Sequence, residues 1–354
     1  MRSIKELKNL EGKRALVRVD FNLPIKNGVI GDDFRIKKTL PTLEFLLGKG
    51  AALTLVTHLG KDGNASIEPV IKRFFKISKF SKDKIKFFPN VRKFPGEEKN
   101  DPEFAKELAR EGDIYVNDAF PVSHRAHASI VGVPKYLPSY AGLQLEEEVK
   151  NLSIAFKNPE HPFLFILGGA KFSTKLPLIE KYLELADHVF IGGALANNFL
   201  KAQGYEVGKS LLDDSSYDLQ KILTNKKVIV PEDVVVQSGD KLVSKELKDT
   251  QSDDAIVDIG EKTIKKLTPY IKDARLILWN GPLGKYEIGG EVGTKKILQL
   301  VADSEAKSII GGGDTVALIS QMSSEDKFTF VSTGGGATLD FLANGTLPGI
   351  KALQ

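Results

Sequence analysis

Five times after residue 160 an apolar run of strand type ends in glycine and a helix-like segment follows. The runs are FLFILGGAK (163–171), VFIGGALANNF (189–199), LILWNGPLG (276–284), SIIGGGDT (308–315) and FVSTGGGAT (330–338). Strand and helix in alternation restrict a chain to a parallel, doubly wound sheet. In such a sheet the turns that follow the strands gather at the strands' carboxyl ends. Glycine there lets a ligand approach bare backbone N–H groups, and each following helix points its positive end at the same place. A single Gly-Gly is ordinary punctuation. Five such turns, two of them glycine triplets, predict a phosphate or nucleotide site.

The chain has 354 residues, more than one domain usually holds, so two domains are expected. No stretch approaches ~18 consecutive apolar residues, which argues against a membrane span. The start, MRSIKELKNLEGKRALVRVDF, is charged throughout, unlike a signal peptide. With no cysteine, disulfides, thiol catalysis and thiolate zinc sites are excluded, and a cytoplasmic location is expected. Charge is divided unevenly. Residues 1–150 carry 27 Lys and Arg against 20 Asp and Glu, and the remainder 23 against 26. Every arginine except Arg275 lies before residue 150. Guanidinium groups grip carboxylate and phosphate bidentately, so the first half is suited to holding an anion by side chains and the second by backbone. The excess is small for a phosphate-tracking surface, and no nucleic acid partner is expected.

In the first half RALVRV (14–19), ALTLVTH (52–58), IKFFPNV (85–91) and DIYVNDAF (113–120) read as strands separated by helical segments. DPEFAKELAREG (101–112) opens with an Asp cap and Pro at the first helical position, and ends at Gly. LQLEEEVKNLSIAFK, about 143–157, reads as a connecting helix stopped by Asn158-Pro159. VIVPEDVVV (228–236) and AIVDIG (255–260) add strands to the second half. The expected fold class is therefore α/β: two doubly wound parallel-sheet lobes joined by a helix, with a cleft between them.

Two motifs are decoys. GYEVGKS (204–210) has three residues between its glycines where a P-loop needs four, and it follows a helical run instead of a strand. No G-x-G-x-x-G is present, which weakens the case for a dehydrogenase. His124 and His127 flank Arg125, whose charge disfavours a metal and suits an anion. Asp20 and Asn22 follow the first strand, His58 ends the second, Arg92 follows the third, and Arg35 opens a helix. One ligand could touch them all. In the second half Lys171 and Lys175 sit four apart after a glycine loop, on one helix face. Cations at a helix start oppose its dipole, so a bound anion explains them better than structure does. Asp314 in GGGDT, among phosphate-facing amides, is matched by magnesium on a nucleotide or, alternatively, is a helix cap.

These stretches together resemble phosphoglycerate kinase. RVDFN-P, HLG, VNDAF with HRAH, GGAK with a second lysine, WNGP-G with a following Glu, GGGDT and STGGGAT stand in the family's order over essentially the whole chain. The resemblance implies a phosphoglycerate-binding lobe at 1–150, a nucleotide-binding lobe at 158–341, and a tail, 342–354, returning to the first. It implies reversible phosphoryl transfer from 1,3-bisphosphoglycerate to ADP, giving 3-phosphoglycerate and ATP, by in-line transfer with hinge closure. The ligands implied are these small molecules and Mg2+ carried on ADP or ATP, in a monomer. Asp20, Asn22, Arg35, His58, Lys61, Arg92 and Arg125 would hold the phosphoglycerate. Gly169, Lys175, Gly192, Gly193, Asn280, Glu287, Gly312, Gly313, Asp314 and Thr315 would serve the nucleotide, with Glu287 on the ribose and Asp314 on its magnesium. Arg35, Lys171, Gly334, Gly335 and Gly336 would surround the transferring phosphoryl group.

The chain departs from the family's pattern in four places. Lys61 stands where an arginine is usual, Pro121-Val122-Ser123 replaces small residues, Ala194 replaces a glycine and Glu261 a proline. A binding protein of the same fold that has lost turnover is the main rival reading; retention of Arg35 and Lys171 speaks against it.

Overall fold

The computed structural model describes residues 1–26, 29–213 and 217–354. Runs of Val, Ile and Leu without polar alternation suit strands covered on both faces. In the amino-terminal part these are β1 (Arg14–Arg18), the hairpin strands β2 (Ile25–Lys26) and β3 (Val29–Ile30), then β4 (Ala52–Val56), β5 (Ile85–Phe87), β6 (Ile114–Asn117) and β7 (Ser139–Ala141). Apart from the hairpin they form one parallel sheet in the order β5-β4-β1-β6-β7. The winding reverses at β1. Arg18 lies opposite Val56 and Asn117, so the loops beginning at Val19, Thr57 and Asp118 leave the sheet at one level. A reversal of this kind opens a crevice at the carboxyl ends of the strands.

The helices Phe34–Gly48 and Glu68–Ser78 bury Ile36, Leu43, Leu46 and Phe74 against β1 and β4. Each fully buried side chain of this kind contributes roughly 1.5–3 kcal/mol. The helix Pro102–Ala109 starts as its sequence predicts, with the Asp101 carboxylate accepting from the Phe104 amide at 2.8 Å. IKFFPNV yields only the short β5, followed by a 3-10 turn over Val91–Lys93.

In the carboxyl-terminal part lie β8 (Phe163–Leu167), β9 (His188–Ile191), β10 (Val228–Ile229), β11 (Asp233–Ser238), β12 (Lys241–Glu246), β13 (Ala255–Ile259), β14 (Leu276–Asn280), β15 (Lys307–Gly311) and β16 (Phe330–Val331). Six of them form a parallel sheet in the order β10-β9-β8-β14-β15-β16. All five glycine-ended runs supply strands of this sheet. Leu167 pairs with Ile191 and Asn280, and Asn280 with Gly311, so four of the glycine turns start side by side.

VIVPEDVVV, read above as one strand, is two. Proline cannot donate to a ladder, and Pro231 separates β10 from β11. The Asp233 carboxylate then accepts from the amides of Lys262 and Thr263 at 2.9 and 2.8 Å, anchoring β11 to the start of the helix Glu261–Asp273. β11 pairs antiparallel with both β12 and β13, so AIVDIG belongs to a separate sheet, β12-β11-β13.

The chain divides into two compact units, Met1–Lys150 with Asn344–Gln354, and Asn151–Ala343. The helix Leu143–Lys157 runs across the first division. Its first turn is held by Asp118 of the VNDAF stretch, whose carboxylate accepts from the amides of Gln144 and Leu145 at 3.0 and 3.2 Å. Burial pushes that carboxyl up to about 7.

Candidate active site

At the carboxyl end of the first sheet, basic residues converge on a buried acid. Asp20, which follows β1, accepts from Arg35 Nη1 at 3.1 Å and from the Asn22 amide at 3.0 Å, and its Oδ1 lies 3.8 Å from His58 Nδ1. Burial would raise this carboxyl, but Arg35, His58 and Arg18 outweigh it and hold Asp20 below the ordinary carboxylate range. Arg35 also donates to the Asn22 carbonyl at 3.2 Å. The Asn22 side chain accepts from the Gly60 amide at 3.0 Å, and Arg92 Nη1 donates to the Gly60 carbonyl at 2.7 Å. One hydrogen-bonded set thus joins the loops after β1, β4 and β5 to the start of a helix.

Burial, with Arg18, Arg92 and Arg35 nearby, pushes His58 down to about 3 against the pull of Asp20. The imidazole is therefore neutral at physiological pH, and the positive charge here is that of arginines. Arg125 and Lys61 are exposed, and burial together with the nearby Arg125 charge lowers Arg92.

Sequence reasoning missed the layer beneath. Arg18 is almost fully buried: its Nε donates to Ser129 Oγ at 2.8 Å, and its Nη2 lies 3.4 Å from His58 Nδ1. Ser129 Oγ donates in turn to Glu97 Oε1 at 2.6 Å, and its amide to Glu97 Oε2 at 2.9 Å. An arginine inside an apolar strand run, VRV, was the available signal, since a buried charge demands a partner.

The second unit carries a cavity of about 460 Å³ at the glycine turns, lined by residues of the loops after β8, β9 and β14 together with Asp314. Where the glycine turns meet, backbone packs against backbone. The Gly168 amide donates to the Asn280 carbonyl at 2.9 Å, Gly169 to Pro282 at 2.8 Å, and Leu195 to Gly169 at 2.9 Å. A Cβ at Gly193, where φ is +61°, would stand 2.6 Å from both Gly169 N and Pro282 O. Gly192 is extended, its amide donating to the Leu167 carbonyl at 2.8 Å. These glycines serve packing. Gly313 and Gly335 do not: a Cβ on either would meet nothing within 4 Å. Bare backbone facing open space fits a ligand that approaches it closely.

Lys171 and Lys175 do not present one face. Lys171 is the exposed N-cap residue of the helix Phe172–Leu185, with extended backbone and no ion pair among the described residues. Lys175 turns inward and donates from Nζ to the Gly168 carbonyl. Burial and Lys171 lower it to about 8, although Asp314 pulls the other way. Asp314 lies in the first turn of the helix Gly313–Gln321, whose N-cap is Gly312, so it is not the cap. Desolvation and Glu287 raise its carboxyl, against Lys175 and a hydrogen bond from Tyr286.

Two buried polar atoms, Asn280 Nδ2 at the end of β14 and Thr315 Oγ1 in the first turn of the helix Gly313–Gln321, have no partner among the described residues. Such atoms are costly unless something satisfies them. Glu287 is exposed on a 3-10 turn at the cavity's edge. Lys209 and Ser210, from the P-loop decoy, line another wall, as does Tyr286, which sequence reasoning also missed. In the STGGGAT stretch the Gly334 amide donates to Ser332 Oγ at 3.1 Å and its carbonyl accepts from Thr338 Oγ1 at 2.8 Å. That turn is fixed before Gly336 begins the helix Gly336–Asn344.

The sequence model of phosphoglycerate kinase matches residues 4–345. The chain belongs to the phosphoglycerate kinase family. Among curated relatives, the phosphoglycerate kinase of Dictyoglomus turgidum is 42% identical over 382 aligned residues, covering 98% of this chain and 96% of the relative. That of Finegoldia magna is 41% identical and covers 100% and 99%. Among solved structures, phosphoglycerate kinase from Coxiella burnetii superposes with a TM-score of 0.84 at 37% identity, over 99% of this chain and 98% of that one. The enzyme from Pyrococcus horikoshii gives 0.88 at 30%, over 100% and 98%. The family's reaction is phosphoryl transfer between 1,3-bisphosphoglycerate and ADP, with a carboxyl group as acceptor in the reverse direction.

Proposed function

We propose that the Asp20–Arg35–His58–Arg92 set, with Asn22, Lys61 and Arg125, binds the phosphoglycerate, and that the glycine-turn cavity binds ADP or ATP. The observation that carries the second assignment is that Gly313 and Thr315 flank Asp314 of the cavity lining: Gly313 is open, and Thr315 Oγ1, like Asn280 Nδ2 at the end of β14, has no partner among the described residues. Gly169 and Gly193 line that cavity, Gly192 and Gly312 precede the helices that start beside it, and Glu287 meets the ribose at its edge. Three carboxylates line the cavity: Asp258 accepts from the Ile259 and Gly293 amides, Glu287 stands at the edge, and Asp314 is the one assigned to the metal; no group of three metal-ligating side chains occurs among the described residues. This donor set fits magnesium that arrives on nucleotide phosphates, because magnesium commonly takes one carboxylate and completes its shell with phosphate and water. Bound there, the ion neutralises charge on the phosphates.

Acyl phosphate and nucleotide phosphate are reactive enough to need no protein nucleophile. The chain's task is alignment and charge neutralisation. Arg35, Lys171 and the amides of Gly334 to Gly336 supply donors to the phosphoryl oxygens in transfer. The two ligands are held by separate units and must be brought together for transfer, in a cytoplasmic monomer. A coupled assay tests the reading: magnesium, ADP and 1,3-bisphosphoglycerate should yield ATP, and purified protein that yields none would refute it.

Lys175 gives a pH-dependent expectation. With its folded, ligand-free pKa near 8, part of the ammonium is lost at about pH 8.5, and nearby phosphate oxygens restore it. Mg-ADP binding should then take up protons, up to about one per site, and affinity should fall as pH rises through 8. Calorimetry in buffers of different ionisation enthalpy measures this. Equal proton uptake by Lys175→Met would remove Lys175 from the site.

A further inference from the structure

The chain passes between the two units twice, at Lys150–Asn151 within the helix Leu143–Lys157 and at Ala343–Asn344, where the helix Gly336–Asn344 ends. Half-buried Lys181 touches the second unit's side of both passages. Its Nζ donates to the Leu342 carbonyl at 2.6 Å and to that of Ala343 at 3.1 Å. The same atom lies 4.8 Å from the centroid of the Phe156 ring, one residue from the end of the other helix. Phe156 in turn meets Phe341 edge-on at 5.6 Å.

The last carbonyls of a helix lack partners within it. An ammonium there gains two hydrogen bonds and a favourable interaction with the helix dipole, and the ring face adds a cation–π attraction. No carboxylate pairs with Lys181 among the described residues, and burial lowers its pKa. Two carbonyls and a ring hold this charge where a counter-ion or water ordinarily would. Lys181 also stands on the helix Phe172–Leu185, whose first residues carry the lysines of the nucleotide loop. One helix, with Pro177 inside it, therefore reaches from that loop to both passages.

We propose that Lys181 is a positioning residue for phosphoryl transfer, fixing the nucleotide-loop helix to both points where the chain leaves its unit. The inference rests on the reading that the two ligands bind on separate units. Its physical content is that the loop's position and the direction in which the chain departs are set together. It does not require Lys181 to touch either ligand.

Lys181→Met keeps the aliphatic stem and removes the charge and both hydrogen bonds. Turnover should fall about 3- to 30-fold, the range typical of residues that couple distant sites. Calorimetric affinities for Mg-ADP and for 3-phosphoglycerate, each measured alone, should stay within about twofold, because each site lies inside one unit. Lys181→Arg, which can still donate to both carbonyls and stack on Phe156, should restore most of the turnover. If Lys181→Met does not fold, Phe156→Leu tests the same joint with the same expected split. Parental turnover in either folded variant would overturn the proposal, as would loss of turnover matched by equal loss of nucleotide affinity. Arg35→Ala separates this from failure of the underlying reading. If that variant loses turnover while Lys181→Met does not, only the inference about Lys181 falls; if neither loses turnover, the site assignment fails with it.

Discussion

Arg35→Ala should lower turnover by about 10³-fold or more while leaving nucleotide affinity close to parental. Arginines that meet charge developing in phosphoryl transfer are worth about 10³–10⁵-fold in rate. Arg35 is placed for that task because Asp20 and the Asn22 carbonyl fix one edge of its guanidinium at 3.1 and 3.2 Å. A quarter of the side chain stays exposed. The variant also leaves Asp20 short of a partner in a buried setting, and breaking such a pair can cost about 3–5 kcal/mol. Thermal unfolding must therefore accompany the kinetics. Arg18 and His58 remain beside Asp20, so the variant should fold at a lower midpoint. Arg35→Lys is the companion: it keeps the charge opposite Asp20 but loses the planar fork, and should recover stability more than rate. Near-parental turnover in folded Arg35→Ala would remove the role.

The sheet carrying the glycine-turn cavity was legible because packing constrains many of its glycines. Gly168, Gly193 and Gly281 are forced by neighbouring backbone, so the turns sit where the strands end and appear in sequence as strand–glycine–helix. Gly313 and Gly335 are not forced by packing, and the proposed function gives them a ligand to meet. The acidic and basic residues of the first unit were legible as a set for a related reason: Asp20, His58, Arg92 and Arg125 come after strands of one parallel sheet, whose strands end together, and Arg35 stands at a helix start.

What sequence reasoning missed has physical causes as well. β11 and β12 form a hairpin whose outer strand, KLVSKE, is largely exposed, so it lacks the apolar run that marks a buried strand. Its turn, Ser-Gly-Asp, was the only local sign. Arg18 and Glu97 belong to distant segments joined through Ser129, a contact 111 residues away from Arg18 that no local pattern reports. The inward turn of Lys175 depends on an orphan carbonyl at Gly168, which exists only once the glycine loops have packed.

Lys171→Met should separate activity from stability most sharply. Lys171 caps a helix start, where a cation opposes the dipole by about 0.3–1 kcal/mol, and it has no ion pair among the described residues to offset that cost. Removing the charge should leave the unfolding midpoint unchanged or slightly raised. It should also ease Lys175, whose pKa Lys171 depresses. A residue kept at some expense to the fold is accounted for by the proposed contact with the transferring phosphoryl group. Loss of one preorganised donor to a developing oxyanion typically costs about 10²–10³ in rate, and that is the fall in turnover expected here. Turnover should thus fall in a variant whose unfolding midpoint does not. Turnover within about threefold of the parent would show that the exposed ammonium is only a surface charge, and the phosphoryl group would then depend on Arg35 and the Gly334–Gly336 amides alone.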